Sequence, residues 1–312
     1  MLMTLVAGAV GMRALLQPSR RMLMLFLILW SLSWMGILLD KYYIEWPWLG
    51  MGTSIGDVQV DISRDWQISG EDKRAAGFMR SSINAATFMP LLAIALIFNM
   101  KNLPLRIVIA LLTLPALVWT TQKGAILAYL FTLGLLVINP KRPMNMLRAG
   151  TLMATILVIL LPVVLPGYAM PEGQGSVFSL SSFYLRITSM WPDAWRWIHG
   201  HEAFPFGVGL GGIGGAQRMY APEEMNAADN LFVLMYGYFG VMTFVYLGAV
   251  LAIAVKAVAS EATTQAMAML CFLLFYGCVI SLIEDQMGSL FFGAALACLC
   301  GKKQPAQSLQ IT

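Results

Sequence analysis

Between Arg148 and Glu172 the chain carries no charged side chain, and between Asp229 and Lys256 it carries none either. Uncharged apolar runs of that length are what a bilayer core demands, where only a helix or a closed barrel satisfies its own backbone polar groups. Apolar stretches of suitable length recur at residues 1–17, 22–39, 83–99, 105–121, 124–139, 149–166, 230–255, 265–283 and 287–300. Hydrophobic residues make up 59% of the 312 residues and charged residues 12%, against about 25% charged in soluble domains. The expectation is an all-α polytopic transmembrane bundle of about nine segments, forming a single membrane domain over residues 1–312. The opening MLMTLVAGAVGMRALL has no basic residue ahead of its apolar run, so it reads as a retained span rather than a cleaved signal. Cys271, Cys278, Cys298 and Cys300 all fall in the last two runs, where cysteine serves as a small packing residue.

The charges between these runs give them sides. One set of connections holds Arg13, Arg20, Arg21, Lys101, Arg106, Lys141, Arg142, Arg148, Lys256, Lys302 and Lys303, with Glu261 as the only acid. By the positive-inside rule that side is cytoplasmic, which puts the N-terminus outside and the C-terminus in the cytoplasm of a multi-pass protein. Both long connections then lie on the outer, periplasmic face: a first loop over 40–82 and a large loop over 167–229. Unusually long connections tend to be functional. Chemistry is expected there.

Within the large loop, FPFGVGLGGIGGA (204–216) satisfies Gly-x-Gly-x-x-Gly at Gly207, Gly209 and Gly212, with Asp229 downstream. A dinucleotide fingerprint has meaning only between a strand and a helix, and no strand pattern precedes Gly207. The glycines instead suit a backbone that must approach a bulky or anionic ligand, and Gly207 and Gly209 are the candidates for that contact. Upstream, Trp191, Trp195 and Ile198 recur at helical spacing behind Pro192 in a first turn, as in a short helix lying in the membrane interface. Arg186 precedes it in a weakly charged setting suited to a bidentate phosphate contact.

Downstream, Asp229 and Asn230 stand at the start of a long apolar run, where either can cap the helix and a carboxylate can also serve as a base. Lys123 lies between two apolar limbs of only about sixteen residues, so it is drawn toward the bilayer, where an ammonium faces a cavity or an anion. Arg80 and Arg218, on the same side, are further candidates for substrate contact. His199, His201 and Glu202 (HGHE) do not make a convincing metal set, since three ligands on rigid elements are usual. Glu284 and Asp285 are expected to form a solvated acidic turn.

In combination these features resemble the O-antigen ligase and polysaccharide polymerase superfamily of integral membrane glycosyltransferases (Wzy/WaaL type). Four stretches carry the resemblance in order: RAAGFMRSSINAA (74–86), TTQKGAILA (120–128), YLRITSMWPDAWRWIHGHEAFPFGVGLGG (184–212) and AADNLFVLMYGYFGVM (227–242). It implies a large external loop and a polyprenyl-diphosphate-linked glycan as donor. The acceptor would be a second glycan, the setting the lipid bilayer, and other polysaccharide-assembly proteins the partners; neither metal, cofactor nor nucleic acid is called for. On this resemblance Arg186 matches the loop arginine that contacts the diphosphate, and Lys123 stands where a second arginine is usual. Asp229 replaces a histidine ahead of the retained Asn230. Lysine keeps the charge but loses the fork geometry, and aspartate can still accept a proton from a sugar hydroxyl. The expected activity is polymerisation or ligation of lipid-linked oligosaccharides by inverting, metal-independent transfer, with Arg186, Asp229 and Lys123 catalytic. A transporter or flippase of lipid-linked or anionic solutes, and a non-catalytic partner of a synthesis complex, are the alternatives.

Overall fold

The computed structural model describes residues 2–55, 58–61, 63, 73–168, 180–201, 205–219 and 221–301. These form an all-helical bundle, with one short hairpin of β1 (Gly52–Ile55) and β2 (Val58–Asp61) in the first long connection. The helices are α1 (Leu2–Val10), α2 (Met12–Leu16), α3 (Arg20–Tyr42), α4 (Ser82–Asn99), α5 (Leu103–Trp119), α6 (Lys123–Ile138) and α7 (Pro143–Val164). Then follow α8 (Ser181–Leu185), α9 (Trp191–Gly200), α10 (Leu231–Phe239), α11 (Met242–Lys256), α12 (Glu261–Tyr276) and α13 (Gln286–Cys300). Each expected apolar stretch carries helix, although 1–17 is divided into α1 and α2 and 265–283 is α-helical only to Tyr276, and capping chemistry fixes where several begin. Ser19, Ser81, Asn102 and Asp285 each accept an N–H from the first turn of α3, α4, α5 and α13, and Ser260 with Thr263 forms a capping box on α12.

The stretch expected as one helix over 230–255 is two. Gly240 breaks it with φ +53°, and a side chain there would collide with Pro205 O at 1.8 Å. Val241 N donates to that carbonyl at 2.8 Å, so the large loop is tied down at the break.

α3, α4 and α7 are long and apolar enough to cross a membrane by length and composition, and α5, α6, α11 and α13 are shorter apolar helices. Burial separates their roles: the apolar window of α4 is 72% buried, against 28% for α3 and 39% for α7. α12 is buried without a break from Thr264 to Leu274, so it and α4 form the centre of the bundle. Outer helices turn Met24, Ile28, Leu32, Leu111, Ile156, Leu160, Phe244 and Val245 outward, an apolar belt larger than a water-facing surface normally carries. α1 lies against α13 at backbone contact, since a Cβ on Gly8 would sit 1.8 Å from Leu290 O and one on Gly293 2.0 Å from Leu5 O.

One end of the bundle gathers the end of α5, the starts of α4, α6, α10 and α13, and the segment after α12. Ala75 N donates to Trp119 O (3.1 Å), Gln122 Nε2 to Ser82 Oγ (3.1 Å), and Leu231 N to Gly277 O (2.8 Å). The turn before α4 is held there by Asp40 of α3, which is buried, accepts from Ala76 N (2.7 Å) and Gly77 N (2.9 Å), and pairs with Lys73 at 2.8 Å.

Two prolines shape the end of α7. Pro162 cannot donate to Val158 O, four residues earlier, and Pro166 cannot donate to Pro162 O. Both stranded carbonyls find side chains: Asn230 Nδ2 reaches Val158 O at 3.1 Å and Trp195 Nε1 reaches Pro162 O at 2.9 Å. The large loop is fastened to the bundle where the helix ladder fails. Cys271 and Cys278 are buried as packing residues, whereas Cys300 is exposed at the end of its helix.

Candidate functional site

The segment 181–200 runs as continuous helix, so Arg186 lies within it rather than ahead of it. Over Arg186–Met190 the ladder widens to a π-helical turn, with Trp191 N donating to Arg186 O. Pro192 has no N–H to give this turn, and such widenings often mark functional positions. Ile187, Trp191, Ala194 and Ile198 pack with Ile213, Ala228, Val233 and Leu234 into a small second core. The helical spacing of Trp191 and Ile198 is as expected, but the face they share is buried against protein, with Trp191 0% exposed and Trp195 held on Pro162 O, rather than laid in a membrane interface. The effect of this packing is to set Arg186 and Asp229, the neighbours of Ile187 and Ala228, against each other.

Arg186 Nη2 meets Asp229 Oδ2 at 2.7 Å, with 18% and 22% of the two side chains exposed. Nη1 donates to Ser182 O at 2.9 Å, while Nε is buried without a hydrogen-bond partner. Asp229 is available for this because Asn230 is the cap. Asn230 is 0% exposed; its Oδ1 accepts from Phe232 N and Val233 N, and its Nδ2 donates to Val158 O and to Cys278 O at 2.9 Å. All its hydrogen-bonding capacity is spent on backbone, so it is a fastening residue and not the substrate contact expected of it.

Backbone strain concentrates at the same place. Among the described residues, the non-glycine residues at left-handed φ are Thr121 (+57°), Ala228 (+60°) and Asp229 (+40°). Each costs about 1–3 kcal/mol unless its surroundings hold it. Asp229 N closes a tight turn on Ala227 O (2.6 Å), and Ser281 Oγ donates to the same carbonyl (2.5 Å). Asn226 braces the turn by receiving Ala228 N on Oδ1 (2.7 Å) and donating to Met190 O (2.8 Å). Thr121 lies two residues before Lys123, where α6 starts beside Val279. Gly124 makes that approach possible, since a Cβ there would lie 2.3 Å from Val279 Cγ2.

The strained turns border one cavity of about 970 Å³. Lys123, Arg186 and Asp229 all line it, together with Arg80 and Arg74. Arg74 begins the turn held by Asp40. Partial burial, with the Arg186 charge adding to it, lowers the Arg74 guanidinium below its ordinary range. Such a like-charge cluster is costly and favours anionic company. The rest of the wall is divided. Leu127, Leu157, Leu161 and Phe275 make it apolar on one side, while Asn84, Gln122 and Asn226 add polar groups. The arrangement can hold an amphipathic anion, with its charged end among the cations and its apolar part along α6 and α7.

Gly207 and Gly209 do not line this cavity. Gly207 (φ +79°) lets the loop lie on the α10–α11 break, where a Cβ would meet Gly237 O at 2.5 Å and where Val208 N donates to Gly237 O. Gly212 O receives Trp197 Nε1 at 2.7 Å. The Gly-x-Gly-x-x-Gly stretch is thus a docking surface for helices. The glycines that border the cavity are Gly124 and Gly215. The side chain of Arg218 lies outside the described residues, as do Glu202 and much of the two long connections. His199 stacks on Trp195, and His201 Nδ1 meets Trp197 O at 2.8 Å.

Glu284 and Asp285 are not a solvated turn. Glu284 receives Gly215 N on both oxygens at 3.0 Å and Tyr238 OH at 2.7 Å. Asp285 is 7% exposed, caps α13 through Gly288 N and is bonded by Asn84 Nδ2. Both still face the cavity. Arg74 and this buried acid are the site residues that sequence reasoning passed over. The signal for Arg74 was the density of basic residues in KRAAGFMR, two of which face the same cavity.

Compared with protein-family models, curated proteins and solved structures, the chain finds no significant match.

Proposed function

We propose that the chain is an integral membrane glycosyltransferase that polymerises or ligates oligosaccharides carried on polyprenyl diphosphate, at the periplasmic face of a bacterial inner membrane. The observation that carries this reading is the convergence of Lys123, Arg186 and Asp229, from three distant parts of the chain, on one cavity with Arg74 and Arg80. In the proposed topology all nine apolar stretches cross the membrane and the cavity opens outward. α6 has 16 residues and so is about 24 Å long at 1.5 Å per residue. That is short of a bilayer core of about 30 Å, so Lys123 is drawn in below the headgroups, where an ammonium calls for an anion. The apolar wall along α6 and α7 suits a polyprenyl chain.

In the reaction, an acceptor hydroxyl oxygen attacks the anomeric carbon of the donor sugar from the face opposite the diphosphate. The new glycosidic bond forms as the carbon–oxygen bond to phosphate breaks, and the diphosphate leaves with the electron pair. Fixed cations at Arg74, Lys123 and Arg186 stabilise that charge in a partly dry cavity. Asp229 takes the hydroxyl proton. In the resting structure its Oδ2 is engaged by Arg186 at 2.7 Å rather than presented to a hydroxyl. A dianionic donor competes for Arg186 and loosens its pairing with Asp229, so donor binding turns that carboxylate toward the acceptor hydroxyl. Incubation of the purified protein with lipid-linked repeat units, with products sized on a gel, tests the reading. Longer glycan is expected from the parent protein and none from Arg186→Ala; an Arg186→Ala product ladder equal to the parent's would end it.

A further inference from the structure

A second depression, of about 690 Å³, continues from the cavity, the two sharing Asp193, Met225 and Asn226. Its chemistry is different. Where the cavity sets Arg74, Arg80, Lys123 and Arg186 among carboxylates, this groove is edged by Glu223 and Glu224 on one side and by Trp197 and His201 on the other. The acidic edge is a short turn, Pro222–Glu224, braced from behind: Gln217 Nε2 donates to Glu224 O at 3.0 Å and Gln217 Oε1 receives Asn226 N at 2.9 Å. Both carboxylates are exposed. The aromatic edge is fixed too, since Trp197 Nε1 is held by Gly212 O and the Trp197 and His201 rings lie 3.9 Å apart. Among the described residues that line the groove, Arg196 is joined to Asp193 one turn away.

We infer that this groove binds the acceptor glycan, as uncharged pyranose rings set between the Trp197 face and the Glu223–Glu224 turn. This rests on the transferase reading. Carboxylates accept pairs of sugar hydroxyls, and an indole ring offers an apolar face to the C–H side of a pyranose. A diphosphate is repelled by the acidic turn and drawn to the cations, so the two substrates are sorted by charge. The shared wall at Met225–Asn226 stands just before Asp229 in the chain, so an acceptor lying in the groove presents its terminal hydroxyl toward the carboxylate that takes the proton. Acceptors bearing uronate, phosphate or sulfate near that end are disfavoured by the same turn.

The test is saturation-transfer NMR on the full-length protein in detergent, with neutral oligosaccharides of several backbones and their uronic-acid counterparts as probes. Neutral probes should bind about tenfold more tightly than uronates, and Glu223→Gln with Glu224→Gln should erase that preference. Trp197→Leu should weaken neutral binding about tenfold, and Trp197→Phe should restore much of it, which separates loss of stacking from loss of folding. Equal binding of neutral and anionic probes, or full binding by Trp197→Leu, overturns the inference. Neutral binding without any elongation of lipid-linked units leaves the groove standing and removes the transferase reading instead.

Discussion

Arg186 divides its fork between Asp229 and the Ser182 carbonyl, and that division makes its replacement informative. Arg186→Lys keeps the charge but cannot hold a carboxylate and a phosphate oxygen in one plane. Elongation should fall about 10²-fold or more, as when one transition-state donor is lost. Asp229→Asn separates holding from proton transfer. The amide removes the competing charge, so inorganic diphosphate, followed by calorimetry, should bind this variant more tightly than the parent, while elongation falls about 10²–10⁴-fold. Weaker diphosphate binding by Asp229→Asn would show that the pair does not compete with the anion. The sequence named both residues through their local setting, but not their contact. A 43-residue separation is closed by a second core whose assembly no local pattern states. It also named Asn230 for the wrong role. A polar residue at a helix start looks the same whether it faces a ligand or a proline-broken helix, and only the packing of α7 decides.

Helix ends, more than helix middles, shape this site. Asn230 supplies two side-chain donors to carbonyls that no backbone N–H reaches, besides capping α10. Asn230→Asp keeps the cap but strips both donors and buries a charge, and should cost about 3–5 kcal/mol, read as a large drop in melting temperature. A variant as stable as the parent would show the tie to be incidental. At the start of α13, burial pushes the Asp285 carboxyl above its ordinary range, against the pull of Gly288 N–H and Asn84. The folded chain therefore keeps that proton to higher pH than the unfolded chain, so stability falls as pH rises through that window and returns on acidification. Asp285→Asn retains a capping oxygen without the charge. It should melt above the parent at neutral pH, with the difference closing as the solution is acidified; a lower melting point throughout would mean that the charged cap outweighs its burial. Helix positions were legible from charge-free runs because a span must be apolar throughout. The break at Gly240 was not, since its cause, the Pro205 carbonyl, lies in a distant loop.

At the level of the whole molecule, the apolar belt and the grouping of helix ends bear on how the bundle sits. With native cysteines replaced, Glu223→Cys should react with a membrane-impermeant maleimide on cells whose inner membrane is intact, and Lys101→Cys only after that membrane is opened. The reverse pattern would invert the proposed topology and put the cavity on the wrong side for an exported glycan. The charge asymmetry that predicts this orientation was readable from the chain alone. The shared cavity was not, because it is built from pieces spread between Arg74 and Met287. The pairing of Arg186 with Asp229 also governs what the resting protein can attract. With Arg186 already answered by a tethered carboxylate, a monovalent anion gains little from that fork. On the proposed reading, a donor bringing two negative charges and a greasy anchor has more to gain by entry than a small ion does, and discrimination between them would require no gate.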